Sequence, residues 1–311
     1  MAIRNATLIT CLIAYVASTQ NAPPAFRSNV ELVTVPCTVV NANGVAVEGL
    51  TRDEFQVYDN GVRRVIENFW IDTDLPLTLG ILIDASASQE QQLTEHRLTA
   101  LALLRQILRP GDRAFVISIA EDVRLWLDLT GMNADIGRQM SEGLGNLFGQ
   151  PCGKRSSAVT GLKPMSMCGS SPLWNALHDA AKIKMHSLTG SKALLILTDG
   201  FDSGSTYTWR QAVDEAARAE NAVYAIQYPS AFGKNYAPDL YRVVEETGGT
   251  WFRPPGNEHQ PIVSRIEADL RRRYVLGFRP DRLSGKVRHE VRVEVARPGL
   301  TVRARKTYFH E

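Results

Sequence analysis

The pattern of apolar and polar residues changes twice along this chain. Short alternating runs rich in valine and threonine, typical of half-buried strands, occupy 29–72 and return at 274–309. Between them, continuous apolar runs at 77–83 and 192–197 alternate with helical periodicity such as that of 89–108. Continuous apolar runs are typical of strands buried on both faces. The order therefore predicts a parallel-rich central sheet with helices on both faces, flanked by antiparallel strands.

The same patterns give approximate bounds for individual elements. Asn60 and Gly61 stand between two apolar-rich runs and predict a hairpin, because both turn residues must accept positive φ. Pro110 and Gly111 end the helix that begins near Gln89. Further helices are predicted at 133–148, 172–186, 209–220, 237–246 and 261–270, and further strands at 114–119, 123–129, 222–227, 250–252, 274–278, 287–295 and 300–309.

We predict two structural units whose boundary is crossed twice. Residues 75–255 form the α/β domain and 256–271 a linker helix, while 25–72 and 272–311 pair into one antiparallel β-sandwich. The α/β domain would then be inserted in the sandwich. Short isolated sheets are marginal on their own, so strands from both ends of the chain gain stability by pairing. Two separate β modules are the alternative.

The first residues carry the three-part pattern of a secretory signal peptide. Arg4 gives a positive start, 6–17 form an apolar run, and cleavage is expected between Ala17 and Ala22. The run is too short to span a bilayer, which needs about 20 apolar residues. We therefore predict a signal peptide at 1–22, no transmembrane span in the mature chain, and a secreted, periplasmic or cell-surface location. A buried N-terminal helix is the alternative.

Composition excludes some classes of protein but leaves the function open. Hydrophobic residues make up 44% and charged residues 22% of the 311 residues, which rules out a disordered or multi-span membrane protein. The net charge of +2 hides a tail, 271–311, with 12 Lys and Arg against 4 Asp and Glu. These cations alternate with valine, as on the solvated edges of a sheet. We therefore expect no nucleic-acid partner.

Oxygen-bearing side chains follow the first buried strand. Every second position at the carboxyl end of that strand carries such a side chain, and these residues are Asp84, Ser86 and Ser88. Open α/β sheets place their sites at this end of the strands. Ser171 stands just before a predicted helix, and Asp199 directly follows another buried strand. Carboxylates and hydroxyls are hard donors, suited to Mg²⁺, Ca²⁺ or Mn²⁺ rather than Zn²⁺. The pattern predicts a divalent-metal site.

This set resembles the metal-ion-dependent adhesion site of von Willebrand factor type A domains. That site has an Asp-x-Ser-x-Ser loop after the first strand, a Thr in a second loop and an Asp after a later strand. Asp84, Ser86 and Ser88 match the first element, Asp199 matches the last, and Ser171 occupies the Thr position and keeps its hydroxyl. The resemblance covers about 75–255. The flanking segments GLTRDEF, YDNGV, YVLGF and RPGLTVRARK are similar to those of a bacterial group of exported A-domain-related proteins.

The resemblance implies a Rossmann-like α/β domain that binds and does not catalyse. Ser86, Ser88 and Ser171 would contact the ion directly, whereas Asp84 and Asp199 would act largely through waters. The ion, Mg²⁺ or else Mn²⁺ or Ca²⁺, would accept an Asp or Glu carboxylate from a protein partner at its open position. The implied function is metal-dependent protein binding outside the cytoplasm, in adhesion or assembly.

Two other functions stay open. One is a structural or scaffold protein with a vestigial metal site, and the other is an enzyme such as a metal-dependent hydrolase. The sequence holds no nucleophile elbow, Walker loop or HExxH motif. A haloacid-dehalogenase-type enzyme would need a second Asp where Ser86 stands. His178 is a candidate base, although a core or surface histidine is the favoured interpretation, and we expect no enzyme.

Two cysteines bracket a Gly-, Ser- and Lys-rich stretch beside the predicted site. In an oxidising compartment, we hypothesise that Cys152 and Cys168 form a disulfide next to the metal, with an ordinary insertion and free thiols as the alternative. Cys37, in a Val-rich strand, is expected to be a buried apolar residue.

Acidic residues near the same sheet edge are candidates for a ligand rim. They are Glu121, Asp122 and Asp202, although a solvated turn is the favoured interpretation for each. The tryptophans that fall among apolar residues are expected to pack in the core, and these are Trp126, Trp174 and Trp251.

Overall fold

The computed structural model describes residues 32–73, 75–121, 123–131, 135–136, 138–139, 170–233, 236–254, 259–280 and 287–310. The predicted signal peptide and most of the helix predicted at 133–148 lie outside these residues. The described strands are β1 (Val33–Val40), β2 (Phe55–Asp59), β3 (Val62–Arg64), β4 (Ile66–Asp72), β5 (Leu77–Asp84), β6 (Arg113–Ile119), β7 (Val123–Thr130), β8 (Ser191–Thr198), β9 (Ala222–Gln227), β10 (Trp251–Phe252), β11 (Arg273–Phe278), β12 (Val287–Val295), β13 (Thr301–Ala304) and β14 (Thr307–His310). The described α-helices are α1 (Leu93–Ile107), α2 (Leu173–Asp179), α3 (Trp209–Arg218), α4 (Pro238–Thr247) and α5 (Gln260–Arg271).

In the described part of the chain, six strands form the central sheet in the order β10-β9-β8-β5-β6-β7. All neighbours pair in parallel except β7, which pairs antiparallel with β6. Every residue of β5 and β8 is buried, as their continuous apolar runs predict. Helices α1 and α5 cover one face and α2, α3 and α4 the other, each face with its own apolar core. The predicted parallel-rich sheet is confirmed.

Two four-stranded antiparallel sheets accompany the central sheet, as far as the chain is described. Their strand orders are β13-β1-β11-β4 and β14-β12-β2-β3. Strand β1 pairs with β11 and β13, and β2 pairs with β12, so both ends of the chain share these sheets. The two sheets bury a common core that includes Val35, Phe55, Tyr274 and Val291. The antiparallel sandwich in the predicted fold class is confirmed, whereas the domain bounds stay predictions.

A buried polar cluster joins all four strands of the second of these sheets. Asp59 on β2 lies 2.8 Å, through its Oδ1, from Nδ1 of His289 on β12. The hydroxyl of Tyr308 on β14 donates to the same oxygen over 2.9 Å. Arg64 on β3 donates to the other carboxyl oxygen of Asp59 over 3.0 Å.

The hairpin at Asn60 is confirmed, with φ values of 49° at Asn60 and 81° at Gly61.

The segment predicted as one strand at 300–309 forms two strands. β13 ends at Ala304 and β14 begins at Thr307, and the two belong to different sheets. Arg305, at the corner between them, is buried and donates to the carbonyl oxygen of Thr34 over 2.6 Å. The sequence does carry a signal for the corner, because the alternation of apolar and polar residues breaks at Arg305, Lys306 and Thr307, three polar residues in a row.

Single residues expected in the core behave differently from one another. Cys37 is 1% exposed and Trp174 is buried, as predicted. Trp126 packs against the core of the α1 face and donates from Nε1 to Oγ of Ser118 over 2.6 Å. The prediction for Trp251 is wrong, because this residue lies on the edge strand β10 and stays 38% exposed.

Among the described helices, none has the length and hydropathy needed to cross a membrane.

Candidate metal centre

Three segments of the α/β unit meet at the carboxyl edge of the central sheet. Asp84 is the last residue of β5, and Asp199 directly follows β8. These strands are neighbours paired in parallel, with Ile83 opposite Leu197, so both carboxyl groups lie at one edge. Ser171, two residues before α2, joins this edge through a bridge described below.

Asp84 is fully buried and held on both sides. Its Oδ2 accepts a hydrogen bond from the Thr198 hydroxyl over 2.6 Å, and its Oδ1 accepts one from the backbone N–H of Ser86 over 3.0 Å. Burial raises the pKa of this carboxyl to about 6, and the charge of Asp199 adds to the rise. The two carboxyl groups are therefore close enough to interact electrostatically, an arrangement that a bound cation would relieve.

The two serines after Asp84 present their hydroxyls together. Ser86 Oγ lies 3.1 Å from Ser88 Oγ. A 3₁₀ turn at Ala87–Gln92 begins between them and leads into α1. This turn brings the two hydroxyls together instead of separating them along an extended chain.

Ser171 is tied to the loop that follows Asp199. Its backbone N–H donates to the Ser203 carbonyl and its carbonyl accepts from the Ser203 N–H, both over 2.9 Å. The side chain of Asn175 reinforces this link, because its Oδ1 accepts from the backbone N–H groups of Thr206 and Tyr207 over 2.9 and 3.0 Å. The second and third loops of the motif thus form one structural unit.

Among the predicted ligands, two buried oxygens have no hydrogen-bond partner. They are Oγ of Ser171 and Oδ2 of Asp199, in residues that are 5% and 1% exposed. The other oxygen of Asp199 accepts from the backbone N–H of Phe201 over 3.2 Å. Buried polar atoms are normally paired, so unpaired ones need an explanation such as a bound ion. A divalent cation would satisfy both atoms, and the residues present fit such an ion.

The chemistry of the donors agrees with this fit. Within the described residues, no cluster of three or more His, Cys, Asp or Glu side chains is suited to a metal. The candidate centre instead combines two carboxyl groups with three hydroxyls. These hard oxygen donors suit Mg²⁺, Mn²⁺ or Ca²⁺ better than a soft ion. The structure brings all five predicted residues to one edge, and their role as ligands stays a prediction.

The other candidates around the site have different positions. Glu121 is half-buried, two residues beyond β6. Asp202 accepts from the backbone N–H of Trp174 over 3.2 Å, so its carboxyl caps the first turn of α2. Burial raises the pKa of this carboxyl. Asp122, Cys152 and Cys168 lie outside the described residues, so the rim and disulfide hypotheses stay predictions.

His178, the candidate base, is a buried structural residue. It is 7% exposed, and its ring stacks on Tyr207 with centroids 3.7 Å apart. Its Nδ1 lies 2.9 Å from Oδ1 of Asp179. This arrangement agrees with the favoured interpretation of a core histidine.

Sequence reasoning missed a second layer of polar residues behind the centre. Gln227 donates to the Asp199 carbonyl over 3.0 Å, and Gln89 donates to the carbonyls of Ser88 and Pro229, each over 3.1 Å. His96 places Nδ1 3.1 Å from the carbonyl oxygen of Asp84, and burial lowers the pKa of this histidine to about 3, which keeps the ring neutral. The N–H of Nδ1 then donates to that carbonyl.

Comparison with solved structures identifies the fold. A von Willebrand factor type A structure from Catenulispora acidiphila has a TM-score of 0.50 and 13% identity, over 91% of this chain and 74% of its own. At this identity the similarity shows the fold alone. The chain has the von Willebrand factor type A fold that the Asp84 loop indicated. No family model matches the chain, and no match was found among curated proteins.

Two further structures are similar at lower TM-scores. Proximal thread matrix protein 1 from the mussel byssus, with zinc in its metal-ion-dependent adhesion site, has a TM-score of 0.47 and 14% identity over 68% of this chain and 49% of its own. The PilB minor pilin from Streptococcus sanguinis has a TM-score of 0.41 and 12% identity over 65% of this chain and 63% of its own. The chain thus spans about half the length of the mussel protein.

Proposed function

We propose that this chain is an exported protein that binds a protein partner through a divalent cation, Mg²⁺ or in its place Mn²⁺ or Ca²⁺, in adhesion or assembly. The observation that carries the proposal is the pair of buried, unpartnered oxygens, Ser171 Oγ and Asp199 Oδ2, beside the carboxyl of Asp84. The signal-peptide pattern at 1–22 supports export.

Each residue of the centre has a defined task in this proposal. Ser86, Ser88 and Ser171 would hold the cation through their hydroxyls, while Asp84 and Asp199 would balance its charge. A bound divalent cation with few carboxylate ligands supplies an electrophilic position that accepts a carboxylate oxygen. The partner would donate this carboxylate from an Asp or Glu side chain.

The surrounding hydrogen bonds prepare the centre before any cation binds. Thr198 and the Ser86 backbone orient the carboxyl of Asp84, and the bridge between Ser171 and Ser203 fixes the second loop. Because these groups are already held, little ordering of side chains would accompany binding.

We propose binding without turnover. The one histidine considered as a base, His178, is stacked on Tyr207 and paired with Asp179 inside the core. Metal-dependent turnover of any member of a panel of ester, phosphate and glycoside substrates would contradict this part of the proposal.

Calorimetry with the metal alone tests the centre directly. Titration of the wild-type chain with MgCl₂, MnCl₂ or CaCl₂ should give saturable heat and a rise in Tm, both abolished in Asp84→Ala and weakened in Asp84→Asn. Circular dichroism of the two variants shows whether the fold is intact, and Asp84→Asn keeps the site polar if Asp84→Ala unfolds. Absence of heat and of a Tm shift in the wild type would instead favour a scaffold with a vestigial site.

A further inference from the structure

The loop after β9 lies directly against the first metal loop. The backbone N–H of Ala231 donates to the Ser88 carbonyl over 3.0 Å. Gln89, which is fully buried, donates to the carbonyl of Pro229 over 3.1 Å. One end of this loop is therefore anchored at Ser88, a predicted ligand in the candidate metal centre.

The other end of the same loop lies against the third metal loop. A Cβ atom added to Gly200 would lie 2.4 Å from Cβ of Ala237, and Gly200 has a φ of +86°. Only glycine fits both the conformation and this close approach. Since Gly200 follows Asp199, the described ends of this loop lie against two of the predicted ligand segments.

Between these anchors the chain exposes two large aromatic side chains. Phe232 follows the anchored Ala231 and is 70% exposed, and Tyr236 precedes the anchored Ala237 and is 71% exposed. The ring of Tyr236 meets Tyr241 edge-on at 5.8 Å between centroids, and Tyr241 stacks on Trp251 at 4.3 Å. We call these four residues the aromatic rim. Scattered exposed apolar residues are ordinary, but aromatic residues grouped beside a site are typical of interaction surfaces.

An arginine side chain links this surface to the metal centre. Arg253, which is exposed, donates to the Tyr241 hydroxyl over 3.0 Å and to Oε1 of Gln227 over 2.8 Å. The amide nitrogen of Gln227 donates in turn to the carbonyl of Asp199. The surface therefore joins aromatic faces to the cation of the proposed centre, which complements an acidic, apolar partner segment.

We infer that the aromatic rim binds the residue next to the partner's acidic residue. The partner then presents an Asp or Glu that is flanked by an aromatic residue or proline. This inference rests on the proposed function. The carboxylate would go to the metal centre, while the flanking apolar side chain packs against Phe232 and Tyr236. The rim would then set which acidic segment is bound, because a carboxylate alone distinguishes few proteins.

A random peptide library displayed on phage provides the probe. The wild-type chain is panned in MgCl₂, and enriched peptides are synthesised and titrated against it. We expect Asp or Glu next to Phe, Tyr, Trp or Pro to be enriched. The double variant Phe232→Ala/Tyr236→Ala should bind these peptides at least about tenfold more weakly, a loss of about 1.4 kcal/mol. The double variant Val45→Ala/Val65→Ala, at exposed apolar positions remote in sequence, is the matched control.

The outcomes separate the inference from the proposed function. Calorimetry should give the same Mg²⁺ affinity for the wild type and for both double variants, since none of the residues replaced in these variants is a predicted ligand. Peptides that need Mg²⁺ but bind the Phe232→Ala/Tyr236→Ala variant normally would overturn the inference and leave the proposed function standing. Enrichment of no peptide, or of peptides that bind equally well in EDTA, would overturn both.

Discussion

Thr198 donates its hydroxyl hydrogen to Oδ2 of Asp84 over 2.6 Å, and both residues are fully buried. The bond crosses from β8 to β5 and joins the residue before Asp199 to the first residue of the metal motif. It therefore couples the stability of the sheet edge to the geometry of the candidate centre.

Replacement of Thr198 by valine should remove this bond and leave a buried carboxyl oxygen unpaired. We expect Thr198→Val to lower the free energy of unfolding by about 1–3 kcal/mol in urea denaturation. We also expect a lower Mg²⁺ affinity by calorimetry, because the carboxyl of Asp84 loses its orientation.

Thr99→Val is the matched control, since Thr99 makes a buried hydrogen bond to the hydroxyl of Tyr228 over 2.9 Å. That bond joins two neutral groups, and we expect a smaller loss of stability with no change in Mg²⁺ affinity. Equal Mg²⁺ affinities in the wild type and Thr198→Val would contradict the orienting role.

Because the hydroxyl of Ser171 is unpartnered, we expect its removal to weaken metal binding without lowering the stability of the metal-free protein. Without metal, Ser171→Ala should leave the free energy of unfolding unchanged or raised, because no hydrogen bond is lost and a desolvated polar atom is removed. With Mg²⁺ at 100 times its dissociation constant, the wild type should gain about 2.7 kcal/mol. A variant with tenfold weaker affinity should gain about 1.4 kcal/mol at the same concentration.

Ser191→Ala separates the metal effect from the effect of removing any buried hydroxyl. Ser191 is also buried with an unpartnered Oγ, but it stands at the opposite end of β8 from Asp199. This variant should match Ser171→Ala in the absence of metal, and its gain in stability on addition of metal should equal that of the wild type. Thermal melts with and without MgCl₂ give the comparison, and identical metal responses of the two variants would exclude Ser171 as a ligand.

The first loop of the centre was readable from sequence because its signal is local. Asp84, Ser86 and Ser88 alternate where a fully apolar strand ends, so the strand pattern itself places them at the sheet edge. Asp199 was readable for the same reason. The strands on either side of the α/β unit were also readable, since alternation and the Asn-Gly turn are local signals.

The second layer of the centre could not be predicted in this way. Gln89 reaches the Pro229 carbonyl across 140 residues of sequence, and Gln227 reaches Asp199 across 28. Amide side chains at such positions follow no period, and their partners are backbone atoms that the sequence does not mark. Trp251 shows a related limit, because apolar neighbours in sequence did not reveal that its strand lies at an edge of the sheet.

The thiol of Cys37 should be inert in the folded protein. Burial raises its pKa to about 12 from an ordinary value of 9.0, so the nucleophilic thiolate is absent at pH 8. We expect no labelling of Cys37 by iodoacetamide in native buffer and complete labelling in guanidinium chloride, measured by peptide mass spectrometry. Rapid native labelling would contradict the burial of this strand.

The same shift predicts a dependence of stability on pH. The folded state holds the proton more tightly, so the contribution of Cys37 is fully present below pH 9 and is lost as pH rises from about 9 to 12. The stability difference between the wild type and Cys37→Ala should therefore change by up to about 1.4 kcal/mol per pH unit in this window. A difference that stays constant from pH 8 to 11 would show that the thiol does not titrate differently in the two states.

The polar cluster around Asp59 should hold the ends of the chain together. Asp59 accepts from Arg64 and Tyr308 and contacts His289, so Asp59→Ala removes the buried carboxyl that these three side chains share. We expect a loss of about 3–5 kcal/mol in the free energy of unfolding, as for other broken buried pairs. Tyr308→Phe removes one hydroxyl and should cost about 1 kcal/mol.

An exposed aspartate in the same sandwich supplies the control for this last prediction. The side chain of Asp53 is 87% exposed, and Asp53→Ala should change stability by less than about 0.5 kcal/mol. Urea denaturation of the three variants, with Mg²⁺ affinity measured in parallel, checks the ranking. Because the cluster joins β2, β12 and β14 and none of its residues belongs to the metal centre, Asp59→Ala should leave Mg²⁺ affinity unchanged under conditions where it stays folded. A loss no larger than that of Asp53→Ala would show that the polar cluster does not stabilise the association of these strands.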